Sequence, residues 1–67
     1  MNPAALTALR VMAGLSQAEL ARRSGLSQSH ISELERGDKE ARPGTVKKLA
    51  DALAVPLPAL MVVEAAS

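Results

Sequence analysis

Apolar residues recur at helical spacing along the 67-residue chain, and no stretch alternates with a period of two for long. The first such pattern predicts a helix near residues 3–13. Its apolar face is formed by Leu6, Leu9 and Met12. Pro3 suits the first turn, where the missing N–H of proline costs no hydrogen bond. Gly14 ends the helix, because glycine takes the left-handed C-terminal conformation at low cost.

The sequence Gly-Leu-Ser-Gln occurs twice, at residues 14–17 and 25–28. In the first copy, Ser16 is predicted to cap the next helix, and Glu19 completes a Ser-x-x-Glu capping box. Each copy therefore reads as the end of one helix and the start of another.

The second copy follows the same rule with a different third position. Gly25 ends the second helix, predicted over residues 17–24, and Ser27 caps the third helix at residues 28–36. A serine cap contributes about 1 kcal/mol. His30 lies where a capping box would have Glu, so only the serine half of the box is expected at this helix.

The second half of the chain predicts a loop and two more helices. Residues 38–44 are polar and contain Pro and Gly, which predicts a loop. Thr45 caps a fourth helix or lies in its first turn, and this helix extends to Ala54. Pro58 starts a short fifth helix, with Leu60 and Met61 facing the core. We therefore expect one all-α, five-helix domain over residues 1–67.

The predicted second and third helices are short and joined by a tight glycine turn, which favours a steep crossing. Ala21 is small and lies where the third helix would approach the second. Four apolar side chains would face inward from this pair: Leu20, Leu26, Ile31 and Leu34. This joint arrangement is typical of a helix-turn-helix, at about residues 16–36.

The sequence resembles the Cro/repressor-type (XRE-like) helix-turn-helix family. "LRVMAGLSQAELARRSGLSQSHISELERG" is similar to the family's first three helices and "TVKKLADALAV" to its fourth. The resemblance implies a lambda-repressor-like fold whose third helix enters the DNA major groove. It further implies a dimer on a pseudo-palindromic operator and a role as a phage or bacterial repressor. The loop "DKEARPGT" and Pro56 depart from the family pattern, where an Asn-Pro-Ser-Leu type segment and a capping Ser are usual.

The outward side of the third helix carries groups suited to base recognition. Gln28 can pair with the N6 and N7 of adenine, and Glu33 can accept from the N4 of cytosine. The alternative for Gln28 is an ordinary solvent-exposed helix residue. The candidate base-reading residues are Gln28, Ser29, Ser32 and Glu33.

A second set of residues is predicted to contact the DNA backbone. The resemblance places Gln17 there, where it can also brace Gln28. The remaining candidates are Arg10, Ser27, His30, Arg36, Lys39 and Arg42. Ordinary solvated surface charge is the alternative for the basic residues. The resemblance also implies a partly buried ion pair between Arg10 and Glu35, which we expect to bring Arg10 near a phosphate.

Composition narrows the remaining possibilities. The net charge is +1, which argues weakly against a nucleic-acid binder, although five of the eight basic residues fall between residues 36 and 48. There is no Cys and a single His, so we expect no metal site, and we expect no cofactor or small-molecule ligand. No acid–base pair or phosphate loop supports an enzyme. No apolar run approaches the length of about 20 residues that spans a bilayer, so a cytoplasmic protein without membrane contact is expected.

The expected partners are double-stranded DNA and a second copy of the chain. A candidate dimerisation helix covers about residues 57–64, where Val62 and Val63 supply apolar surface beyond the core. Two alternatives stay open. One is the antitoxin of a toxin–antitoxin pair, which would bind a toxin as well as DNA. The other is a helix-turn-helix that no longer binds DNA.

Overall fold

The computed structural model describes residues 1–61. Their regular secondary structure is entirely helical, with no strand in this range. The elements are α1 (Pro3–Met12), α2 (Gln17–Ser24), α3 (Gln28–Arg36), α4 (Pro43–Leu53) and a 3-10 helix at Leu57–Leu60. The all-α prediction is confirmed. The fifth α-helix is not confirmed, because the described chain has only a 3-10 turn there. The rest of the predicted dimerisation helix lies outside the described residues.

Serine caps and glycine ends set the limits of α2 and α3. The Oγ of Ser16 accepts from the backbone N–H of Glu19 at 3.0 Å, and Ser27 accepts from that of His30 at 3.0 Å. Gly25 ends α2 with φ +78°, which a side chain would disfavour. The predicted limits of both helices are therefore confirmed.

The capping box at α2 forms only in part. The Glu19 carboxylate, predicted to return to the backbone of Ser16, pairs instead with Arg22 and with Arg23, the latter at 3.2 Å. These arginines are three and four residues further along the helix, on the same face as Glu19. The serine half of the box thus caps the helix alone.

Helix α4 begins earlier than its sequence suggested. Pro43 and Gly44, predicted to be loop, form its first turn, and Arg42 is the N-cap residue without a side-chain capping bond. Proline is well suited to a first helical position, since its fixed φ matches the helix. Thr45 therefore lies in the first turn and does not cap the helix.

The core is a single cluster to which every helix contributes. Six side chains are fully buried: Leu6, Leu20, Ile31, Leu34, Leu49 and Leu60. Two predicted core residues are exposed instead, Met12 at 81% and Met61 at 48%. Two three-residue steps rotate a helical position by about 120°, which turns Met12 away from the face of Leu6. Met61 follows the 3-10 turn, and its side chain lies on the outside.

The packing of α2 against α3 leaves one side of α3 open. Ala21 is buried where the two helices meet, as predicted for a small residue at a steep crossing. Helix α1 covers another part of α3, while α2 also packs on α4. None of the helices within residues 1–61 combines the length and the apolar character needed to cross a membrane.

Candidate nucleic-acid interface

A shallow groove of about 430 Å³ runs along the open side of α3 and reaches the start of α2. It is lined by Gln17, Gln28, Ser29, Ser32, Glu33 and Arg36. We call these six residues the α3 face. All four predicted base-reading residues belong to it, together with two of the predicted backbone contacts.

The start of α3 presents two exposed polar side chains of the α3 face. Ser27 is the N-cap, so its hydroxyl oxygen is directed at the helix backbone. Gln28 and Ser29 follow in the first turn and are exposed. The unpaired N–H groups of a first turn make this end of a helix favourable for anions. Gln28 and Ser29 are therefore accessible to a partner at the favourable end of the helix.

The later turns of α3 hold their charged groups in internal contacts. Arg36 donates from Nε to Asp38 Oδ2 at 2.8 Å and from Nη1 to Ser32 Oγ at 2.6 Å. Glu33 lies 4.0 Å from the Nζ of Lys39. The α3 face therefore carries both signs of charge in its second half, with Glu33 and Asp38 beside Arg36.

Gln17 is held by α3 through a contact that sequence reasoning did not predict. Its Nε2 donates to Glu35 Oε1 at 3.0 Å. The resemblance implied a brace between Gln17 and Gln28, and within the described chain no such bond forms. The side-chain oxygen of Gln17, Oε1, is still available to the groove that this side chain lines.

Arg10 and Glu35 form an ion pair that joins α1 to α3. Arg10 Nε lies 2.6 Å from Glu35 Oε2, and its Nη2 donates to Oε1 at 3.1 Å. Nη1 donates to the Leu15 carbonyl at 2.8 Å. Both side chains are largely buried, with 15% and 7% exposed. All three guanidinium nitrogens donate within the protein, and the phosphate contact of Arg10 stays a prediction.

The ion pair shifts the titration of both partners. Burial raises the pKa of Glu35, but hydrogen bonds from Arg10 and Gln17, aided by the nearby positive charge and by Thr7, outweigh it. The pKa of Glu35 therefore lies below its ordinary value. The hydrogen bond to Glu35 raises the pKa of Arg10. The pair stays charged at neutral pH and fixes α1, α2 and α3 to one another.

Three predicted backbone contacts lie together in a second cleft next to the α3 face. This cleft, of about 360 Å³, is lined by His30, Lys39, Glu40, Arg42 and Thr45. Within the described range, Arg42 forms no ion pair. His30, Lys39 and Arg42 thus form a basic edge beside the start of α3.

The predicted dimer contacts Val62 and Val63 lie outside the described residues. Immediately before them, Leu57 and Met61 are exposed and line an apolar groove of about 130 Å³. Its remaining lining comes from Met1, Ala41, Pro43 and Val46.

Across residues 1–61, no three His, Cys, Asp or Glu side chains are grouped so that they could hold a metal ion.

Comparison with known proteins identifies this arrangement. The helix-turn-helix family matches residues 6–60, which include most of α1, all of α2, α3 and α4, and the 3-10 turn. The chain belongs to the XRE-type helix-turn-helix family. In this helix-turn-helix, α2 is the first helix and α3 the second, and five of the six residues of the α3 face lie on α3.

Two similar proteins carry names that describe regulators. Over 48 residues the chain is 50% identical to the HTH-type transcriptional regulator y4dL of Sinorhizobium fredii, covering 72% of this chain. The match spans 24% of that relative, so the chain corresponds to about a quarter of its length. The structure is also similar to the restriction-modification controller protein C.AhdI from Aeromonas hydrophila. The TM-score is 0.85 at 38% identity, over 87% of this chain and 88% of that one.

Within this helix-turn-helix, two features of the site were missed from the sequence. The Ser32–Arg36 contact could have been found, because residues four apart lie on the same helix face. The Gln17–Glu35 bond joins residues 18 positions apart on different helices, so it depends on how α2 and α3 pack. The Arg10–Glu35 pair, whose members are 25 positions apart, was predicted only from the resemblance.

Proposed function

We propose that this helix-turn-helix protein is a sequence-specific DNA-binding transcriptional regulator that places α3 in the major groove. The observation that carries the proposal is the α3 face, where Gln28, Ser29, Ser32 and Glu33 line one groove with Gln17 at its edge. A recognition helix contacts base edges from its first residues. In this chain the first two residues of α3, Gln28 and Ser29, are exposed on that face.

Gln28 is the principal proposed base contact. Its side-chain amide can donate from Nε2 to N7 of adenine and accept at Oε1 from the N6 amino group, in the bidentate pattern that glutamine forms with adenine. Ser29 beside it can donate or accept. Because Gln28 is exposed and lies in the first turn, it can reach a base without rearrangement of the helix.

The basic edge supplies the proposed backbone contacts. His30, Lys39 and Arg42 share the second cleft, so phosphates on one side of the groove would meet all three. Ser27 and Gln17 would contact the backbone near the start of α3. If Lys39 and Arg42 of two subunits each neutralise one phosphate, a plot of log binding constant against log salt concentration would have a slope of about −3.6.

The proposed assembly is a homodimer on a pseudo-palindromic operator. Leu57 and Met61 expose apolar side chains at the end of the described chain, directly before Val62 and Val63. Burial of this surface against its copy would favour association. Val63→Asp should shift a dimeric protein toward monomer in sedimentation velocity, with Val11→Asp as the control on an exposed part of α1. An unchanged sedimentation profile of Val63→Asp would exclude this interface.

The proposed base contact is tested on a duplex selected from a random pool. Gln28→Ala should weaken binding by about 1–3 kcal/mol and remove the preference at one A·T pair. Arg22→Ala, on the exposed side of α2, serves as the control. If Gln28→Ala kept the wild-type preference at every position, Gln28 would not read a base.

The regulatory role has one favoured form and one alternative. Repression in the bacterial cytoplasm or nucleoid is the favoured form, and the likeness to C.AhdI supports a controller of restriction-modification genes as its specific version. A reporter driven by the bound promoter would separate repression from activation. The alternative, an antitoxin, requires a toxin that co-purifies with the protein and whose toxicity the protein relieves.

A further inference from the structure

Arg36 lies within the α3 face, although it is at the end of its helix. Its side chain lines the same groove as Gln28 and Ser29 and is 58% exposed. At about 100° per residue, Arg36 is about 80° around the helix axis from Gln28 and about 20° from Ser29. The angular position of Arg36 is thus central to the α3 face.

Two neighbours hold the guanidinium of Arg36. Asp38 accepts from Nε and Ser32 accepts from Nη1, so opposite sides of the group are fixed. Asp38 is itself positioned, because its backbone N–H donates to the Glu33 carbonyl at 2.9 Å, next to the left-handed Gly37. Nη2 has no hydrogen-bond partner within residues 1–61. Nη2 and the second N–H of Nη1 therefore remain as donors for a partner.

We propose that Arg36 reads a guanine in the major groove, and that Ser32 and Asp38 are its positioning residues. The proposal rests on the DNA-binding function proposed above. An arginine with a fixed orientation can donate two parallel bonds to O6 and N7 of guanine, the commonest specific contact of this kind. Ser32, which accepts from Arg36, then acts on specificity through the arginine and does not itself read a base.

The local charge favours a base over a phosphate as the partner of Arg36. Asp38 already neutralises the guanidinium, and Glu33 lies on the same face. A phosphate at this position would be brought close to the Asp38 carboxylate, and like charges repel. The acceptors of guanine are neutral, so the carboxylate can stay and orient the arginine. The basic edge, which contains Lys39 and Arg42, is the more favourable place for phosphate contacts.

The test compares wild-type protein with Arg36→Lys on a duplex selected from a random pool. Each G·C pair is replaced in turn, and each guanine is also replaced by 7-deazaguanine, which lacks the N7 acceptor. We expect one guanine whose replacement weakens wild-type binding by about 5- to 140-fold. Arg36→Lys keeps the positive charge but not the two parallel donors, so it should lose this discrimination while retaining the wild-type salt dependence. Arg22→Lys is the matched control and should behave as wild type.

Asp38→Asn separates positioning from a plain charge effect. If Asp38 orients Arg36 toward guanine, Asp38→Asn lowers discrimination at the same guanine and raises affinity for unrelated DNA. If Arg36 contacted a phosphate, Asp38→Asn would raise affinity and leave discrimination unchanged at every position, which would overturn the proposal. Retention of wild-type discrimination by Arg36→Lys would also overturn it. If the wild-type protein selected no site, the proposed sequence-specific DNA binding would fail together with the role of Arg36. If it selected a site but Arg36→Lys kept the discrimination, only the role of Arg36 would fail.

Discussion

Replacing Glu35 by glutamine is expected to destabilise the domain strongly, because its carboxylate joins three helices. It accepts two hydrogen bonds from Arg10 of α1 and one from Gln17 of α2. Glutamine has nearly the same shape but carries no charge. The variant would leave the largely buried Arg10 guanidinium without a charged partner, with one amide oxygen in place of two carboxylate oxygens beside the Leu15 carbonyl.

The magnitude follows from the burial of the pair. Breaking a buried ion pair by removing one partner costs about 3–5 kcal/mol. We take the lower end, about 3 kcal/mol, because Arg10 retains a backbone acceptor and some contact with water. A chain of this length has a total stability of about 3–10 kcal/mol, so the loss is a large fraction. It corresponds to a fall in Tm of about 12–24 °C.

The assay is thermal and urea unfolding followed by circular dichroism at pH 7, with Glu19→Gln as the matched control. Glu19 also pairs with arginines, but on the exposed side of α2, where ion pairs contribute little. Glu35→Gln should therefore lower Tm much more than Glu19→Gln. Equal Tm values for the two variants would refute the reasoning.

The pH dependence of the same comparison gives an independent check. The pKa of Glu35 is lowered in the folded protein, so its contribution is full above the ordinary Glu pKa of about 4.3. That contribution is lost as the pH falls through the lower folded-state value. The stability difference between wild type and Glu35→Gln should thus be constant near neutrality and shrink below about pH 4. A difference that grows on acidification would contradict the assigned direction.

Three further predictions concern the helix ends. Ala54 has φ +57°, a conformation that costs a non-glycine residue about 1–2 kcal/mol, so Ala54→Gly should raise the urea midpoint. Gly25→Ala should do the opposite by a similar amount, since no atom lies within 4 Å of the added carbon and only the backbone is strained. Ser16→Ala should cost about 1 kcal/mol through loss of the α2 cap, and a neutral result would show that the cap is dispensable.

Local signals along the sequence were sufficient for much of the fold. The starts and ends of α2 and α3 depend on serine and glycine at fixed offsets, and these acted as predicted. The start of α4 was predicted too late, since Pro43 suits both a loop and a first helical turn. Met12 and Met61 are exposed against expectation. Repeated three-residue steps rotate Met12 away from the face of Leu6, and Met61 follows a 3-10 turn instead of lying in an α-helix.

The candidate site was predictable in its membership but not in its contacts. The α3 face follows from helical periodicity, since the apolar residues Ile31 and Leu34 fix which side is buried. The contacts of Gln17 and Arg10 depend on packing between helices that are distant in sequence. Only the relative placement of α1, α2 and α3 shows that Glu35 accepts from both side chains.

The most direct test of the central claim is selection of binding sites from random double-stranded DNA by the purified protein. We predict enrichment of two inverted half-sites whose centres lie about one helical turn apart, as a symmetric dimer with α3 in the major groove requires. The affinity for the selected site should fall steeply as salt is added. Binding that enriches no sequence, or that does not respond to salt, would contradict the assignment of α3 as a recognition helix.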